Sequence, residues 1–126
     1  MDYVESYKEL EVYKLTRHLA KEIFEISENF PKEEIYSLTS QIRKSSRSIG
    51  AQIAEAWGKR RYETHFISKL TDADSEQLET QHWIDFAHDC KYINENQAKE
   101  LIEKYRSVGK MLSSMIDKSS SFCKNP

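Results

Sequence analysis

Residues 38 to 57 read LTSQIRKSSRSIGAQIAEAW, and this stretch decides the fold. Its larger apolar side chains recur at intervals of four and seven residues, which is the period of a helix with one buried face. These side chains are Leu38, Ile42, Ile49 and Ile53. Seven of the twelve residues from Ser45 to Ala56 are Ser, Gly or Ala. Since Gly50 costs a helix about 1 kcal/mol relative to alanine, we infer that another backbone packs closely here.

Three further stretches of the chain repeat this helical period. We predict helices at about 9–29, 38–57, 62–91 and 95–118, followed by a mobile tail over about 119–126. Ser6 with Glu9, and Asn94 with Gln97, match the capping box that begins a helix. Only three glycines and two prolines among 126 residues allow few turns, which favours long helices over strands. The sequence therefore predicts an all-α protein: an up-down antiparallel four-helix bundle in a single domain, 1–126.

Positive charge is concentrated in one part of a chain whose net charge is −2. The segment from Arg43 to Arg61 holds six cations and one anion, whereas the rest holds 13 cations and 20 anions. Trp57 and Tyr62 flank its second half, and cations beside aromatic rings suit phosphate contact with base stacking. We predict a nucleic-acid-binding patch, although a solvated helix face, with Trp57 closing the core, is the alternative. The patch comprises Arg43, Lys44, Arg47, Lys59, Arg60 and Arg61.

A row of mostly uncharged polar residues runs beside the small residues of the second helix. Such a row suits a contact with another helix, either of a second subunit or of the same chain. We predict an oligomer contact here. The predicted contact residues are Gln41, Ser48, Gly50, Gln52 and Glu55.

Catalytic and metal-binding patterns are weak in this sequence. A di-metal bundle needs Glu-x-x-His on two helices, but Glu79 with His82 and the near match Asp85 with His88 both fall on the third helix. Arg60 and His65 have the spacing of helical-domain ribonucleases, which leaves that activity as a remote alternative. No phosphate loop or nucleophile elbow is present. We therefore predict no enzyme activity, no metal and no cofactor.

The chain has no feature of a secreted or membrane-bound protein. It begins with an acidic segment, Met1 to Glu5, and no stretch approaches the roughly 20 apolar residues of a membrane span. Cys90 and Cys123 lack the spacing of a metal or redox pair. These observations predict a cytoplasmic protein with free thiols and no membrane partner.

The run QIRKSSRSIGAQIAEAWGKR at residues 41–60 resembles the signature of proteins encoded in 23S ribosomal RNA intervening sequences. Matches at residues 10–13 (LEVY), 30–31 (FP), 36–38 (YSL) and 73–79 (ADSEQLE) extend the resemblance. The chain departs from the family pattern at three positions: Gln52 replaces the usual Asn, and Ala56 and Asp74 each replace a Gly.

The resemblance implies an up-down bundle assembled as a ring-shaped homopentamer, with no known enzymatic activity. A relative, the accessory protein of diversity-generating retroelements, is a basic pentamer that works with a reverse transcriptase and nucleic acid. By analogy, the expected partners are structured RNA or a nucleic-acid-processing enzyme. The alternative is an oligomeric interaction scaffold without nucleic acid, in which the basic patch pairs with acidic surfaces of neighbouring copies.

Overall fold

The computed structural model describes residues 4–123, and these form five α-helices and no strand. The helices are α1 (Glu11–Ser27), α2 (Leu38–Gly58), α3 (Glu63–Asp89), α4 (Glu95–Asp117) and the short α5 (Ser119–Phe122). Single 3₁₀ turns, Tyr7–Glu9 and Lys32–Glu34, precede α1 and α2. The predicted all-α fold of four long helices is confirmed, and each helix end lies within two residues of its predicted position.

The four long helices close into a bundle around one core. Each packs on the next along the chain, and α1 also packs on α4. The connections are short, so successive helices run in opposite directions. Each of these four helices contributes side chains with no exposed surface, among them Leu19, Ile49, Phe66 and Val108.

The two predicted capping boxes have different outcomes. At α4 the box is confirmed: Asn94 Oδ1 accepts from the Gln97 N–H at 2.8 Å, and Gln97 Oε1 accepts from the Asn94 N–H at 2.9 Å. The prediction of a capping box at Ser6 and Glu9 is wrong. Ser6 Oγ accepts from the Lys8 N–H and so caps the 3₁₀ turn that precedes α1. Helix α1 begins only after Leu10.

The predicted mobile tail is wrong over Ser119–Phe122, which form α5. Ser119 is buried and donates a hydrogen bond to the Glu63 carboxylate at the start of α3. The Phe122 ring stacks on Phe66 with their centroids 5.8 Å apart, so α5 covers this end of the core. Of the rest of the predicted tail, Cys123 ends α5 as its C-cap, and residues 124–126 lie outside the described residues.

Helices α1 and α4 enclose a buried hydroxyl. The Tyr105 side chain has no exposed surface, and its Oη finds no hydrogen-bond partner among residues 4–123. Burial, and then the negative charge of Glu22, raise the pKa of Tyr105 well above its usual value. The hydroxyl therefore stays protonated while losing the hydrogen bonds it would make with water in the unfolded chain.

Substituting Tyr105→Phe should raise the free energy of unfolding by about 1 kcal/mol. The change removes a buried polar group without a protein partner and keeps the ring that fills the core. Urea unfolding followed by circular dichroism measures the difference. A variant less stable than the wild type would show that the hydroxyl has a partner in the folded protein.

Candidate nucleic-acid interface

The six cations of the predicted patch do not form one surface. Arg43 and Arg47 lie in the first half of α2, whereas Lys59, Arg60 and Arg61 lie at the turn between α2 and α3. At 1.5 Å per helical residue, Arg47 and Lys59 are about 18 Å apart along the helix axis. The predicted patch is therefore divided between the first half of α2 and the turn that follows this helix.

The first site, which we call the turn cluster, consists of Lys59, Arg60 and Arg61. The Arg60 guanidinium lies 3.6 Å from the centre of the Trp57 ring, and its Nε donates to the Trp57 carbonyl oxygen at 2.8 Å. Arg61 lies 6.0 Å from the ring centre of Tyr62, whose side chain is 56% exposed. Trp57 is half-buried against the core, so it both closes this end of the bundle and holds Arg60 in place.

The second site is a groove between α1 and α2. The Arg43 and Arg47 guanidinium groups lie 4.5 and 5.6 Å from the ring centre of Phe24 on α1. Arg43 Nε also donates to Ser27 Oγ at 2.7 Å, which fixes this side chain to α1. Arg47 remains exposed at the edge of the groove.

Helix α1 adds cations to this groove that the sequence analysis missed. Lys14, Arg17 and Lys21 line a depression of about 770 Å³ together with Arg47. Their spacing of three and four residues places them on one helix face, and this was the signal available in the sequence. A count of charge within one segment overlooks it, because the groove joins residues from two segments. We call this site the α1–α2 groove; its floor consists of Tyr13, Phe24, Gly50 and Ala51.

Lys44 lines a second depression on α2 together with Arg43 and Arg47, and its charge also reaches Glu76 of α3. Burial, followed by the nearby charge of Glu79, raises the pKa of Glu76 on α3, and the positive charge of Lys44 opposes that rise. Lys44 thus partly offsets acidic residues of its own chain.

Three of the five predicted oligomer-contact residues also make contacts within the chain, while the oligomer contact itself stays a prediction. A Cβ added at Gly50 would lie 3.4 Å from Tyr13 Cε1, so the glycine permits the close approach of α1. Gln52 Oε1 accepts from Lys69 Nζ at 3.0 Å, and the Glu55 carboxylate lies 3.6 Å from the same ammonium group. These two residues therefore join α2 to α3. Of the other two, Gln41 is exposed and Ser48 is half-buried.

The family model described as 23S rRNA-intervening sequence protein matches residues 8–114. The chain belongs to this family. A solved structure with a similar fold, at a TM-score of 0.76, is a protein of unknown function from the S23 ribosomal protein family of Bacteroides thetaiotaomicron VPI-5482. It is 28% identical, and the alignment covers 84% of the present chain and 95% of the Bacteroides chain. A search of curated proteins returned no match.

In this member of the 23S rRNA-intervening sequence protein family, Asp74 lies at the crossing of α3 and α4. Its Oδ1 accepts from Gln77 Nε2 at 2.9 Å. A Cβ added at Gly109 would lie 2.9 Å from that Gln77 nitrogen and 3.3 Å from Asp74 Oδ1. The absence of a side chain at Gly109 of α4 thus leaves room for Asp74 and Gln77 of α3 at this crossing.

The residues of the remote ribonuclease alternative have other contacts in this family member. The Arg60 guanidinium lies against Trp57, while the exposed His65 ring packs on Tyr62 with their centroids 5.3 Å apart. Neither of these contacts joins Arg60 to His65.

The residues of the weak metal-binding pattern on α3 also make other contacts in this family member. Glu79 Oε2 accepts from Trp83 Nε1 at 3.0 Å, and the His82 ring meets the edges of Trp83 and Phe86. Among residues 4–123, no group of three or more His, Cys, Asp or Glu side chains is placed to hold a metal ion. Within the same residues, no helix is long and apolar enough to cross a membrane.

Proposed function

We propose that this protein is a non-catalytic, cytoplasmic, oligomeric bundle that binds structured RNA through the turn cluster. The family description, which refers to an intervening sequence of 23S rRNA, supports RNA as the nucleic acid. The turn cluster supports the contact, because it joins three adjacent cations to two aromatic rings at the end of the bundle. The protein needs no cofactor for this role.

The observation that carries the proposal is the fixed position of Arg60. Its guanidinium lies against the Trp57 indole and its Nε is held by the Trp57 carbonyl oxygen, so little side-chain entropy remains to be lost on binding. Within residues 4–123, none of the three cations forms an ion pair with an acidic side chain. Their charge is therefore available to phosphate groups.

A single turn cluster supplies few phosphate contacts, and an oligomer would multiply them. In the homopentamer that we expect, five copies of the cluster would lie on one particle. Several sites on one particle raise the affinity for a folded RNA without any new contact. The family resemblance supports this expectation.

The triple substitution of the turn cluster, Lys59→Gln, Arg60→Gln and Arg61→Gln, should weaken RNA binding to a similar extent whatever the RNA sequence. Each phosphate contact releases counterions, so log affinity falls with log salt by about 0.7 to 0.9 per contact. Loss of three contacts should flatten that slope by roughly 2 to 3 for each engaged copy. Fluorescence anisotropy with a structured fragment of 23S rRNA, measured over a salt series, provides the slope.

The matched control replaces Lys99, Arg106 and Lys110 with glutamine, because these exposed cations lie on the outer face of α4. This control removes the same charge and should leave the slope close to that of the wild type. Equal slopes for the wild type and the turn variant would contradict the proposed site. A wild type that binds no RNA at low salt would favour the interaction scaffold, and RNA cleavage that depends on His65 would favour the ribonuclease.

A further inference from the structure

Helix α3 carries apolar side chains on the side that faces away from the core. Leu78 is 55% exposed and Phe86 is 47% exposed, and His82 lies midway between them on the same helix face. The His82 ring contacts Phe86 and Trp83 with centroid distances of 5.2 and 4.7 Å. Leu78, His82 and Phe86 are exposed, while Trp83 is half-buried beside them; we call these four residues the α3 stripe.

Acidic side chains surround the α3 stripe. Glu79, Asp85 and Asp89 are exposed, and within residues 4–123 none of them forms an ion pair. Glu79 accepts a hydrogen bond from Trp83 Nε1, which ties one of these charges to the stripe itself. An apolar centre with a charged edge is the organisation of a protein interface.

The α1–α2 groove has the complementary organisation. Its floor includes the Phe24 ring, 36% exposed, and the small residues Gly50 and Ala51. Arg17, Lys21 and Arg47 stand along its edges, and within residues 4–123 none of these three forms an ion pair. The lengths also agree, since Leu78 to Phe86 spans about 12 Å and Tyr13 to Phe24 about 16 Å of helix.

We propose that the α3 stripe of one copy docks in the α1–α2 groove of a second copy of this chain. Within one chain the two surfaces cannot meet, because the stripe points away from the bundle and α1 does not pack beside α3. Opposite charges on the two edges favour this pairing over a symmetric one, which would bring like charges together. When identical subunits bind through two different faces, each subunit binds the next one head to tail. Such an assembly forms a closed ring if the rotation from one subunit to the next returns to the first subunit.

This inference gives the oligomer of the proposed function its contact faces. It does not rest on RNA binding, since the turn cluster belongs to neither face. The two proposals can therefore fail independently: RNA affinity tests one and subunit mass tests the other.

Two variants test the two faces by sedimentation equilibrium. The stripe variant carries Leu78→Lys and Phe86→Lys; the groove variant carries Lys21→Glu and Arg47→Glu. All four side chains are exposed, so circular dichroism should show an unchanged helical fold. We expect each variant to sediment as a monomer while the wild type sediments as an oligomer. The control, Arg106→Glu with Lys110→Glu on the outer face of α4, should keep the wild-type mass.

Mixing the two variants decides between head-to-tail and symmetric contacts. The stripe variant retains an intact groove and the groove variant an intact stripe, so an equimolar mixture should form a one-to-one heterodimer. A mixture that stays monomeric would overturn the proposal, as would a stripe or groove variant of wild-type mass. A wild-type monomer whose groove variant loses RNA affinity would also overturn it, and would assign the groove to phosphate groups.

Discussion

Replacing Phe66 with alanine should lower the free energy of unfolding by about 3 to 5 kcal/mol. The ring has no exposed surface, and it stacks on Phe122, so its removal leaves a cavity between α3 and α5. A loss of this size is a large share of the roughly 5 to 15 kcal/mol that stabilises a small domain. Urea unfolding at a fixed protein concentration, followed by circular dichroism at 222 nm, measures it.

The matched control for this prediction is Tyr36→Ala. Tyr36 is also aromatic, but its side chain is 94% exposed in the connection before α2, so the change should stay within about 0.5 kcal/mol. Equal effects of the two substitutions would contradict the position of Phe66 in the core. If Phe66→Ala lowered the free energy of unfolding by much less than predicted, α5 would have moved to fill the cavity.

Replacing Gly50 with leucine should lower the free energy of unfolding by about 1 to 3 kcal/mol. A Cβ at this position would lie 3.4 Å from Tyr13 Cε1 and 3.5 Å from Thr16 Oγ1, so the larger leucine side chain would force α1 away from α2. Thermal or urea unfolding of the leucine variant measures the loss.

Gly50→Ala is the control, because it should change the free energy of unfolding in the opposite direction. Its Cβ makes an ordinary contact with Tyr13, and alanine is favoured over glycine in a helix by up to about 1 kcal/mol, so stability should rise. If Gly50→Leu kept wild-type stability but dissociated the oligomer, the glycine would serve a subunit contact instead of the α1–α2 crossing.

The four long helices, their bounds and one cap could be predicted from the sequence because they depend on neighbours along the chain. The apolar spacing of Leu38, Ile42, Ile49 and Ile53 specifies one buried face of α2, whatever packs against it. Asn94 and Gln97 satisfy each other's backbone groups within a single turn. The run at residues 41–60 identified the family, which the match over residues 8–114 then confirmed.

The candidate sites depended on which helix lies over each polar face, and that is decided by tertiary packing. Arg43 and Arg47 look like members of one patch with Lys59 until Phe24 of α1 is placed beneath them. The groove acquired Lys14, Arg17 and Lys21 only because α1 packs beside α2. Charges brought together from separate segments leave no local pattern in the sequence.

The sequence by itself determined the four long helices and the main buried face of α2, because helical period is a local property. Only the tertiary structure decided that Gly50 admits α1 and that Gln52 and Glu55 contact Lys69 of α3. It also showed that the stripe of Leu78 and Phe86 remains uncovered. The physical reason is that periodicity fixes a residue's direction around its own helix axis, whereas its neighbours depend on how the helices are arranged around the core.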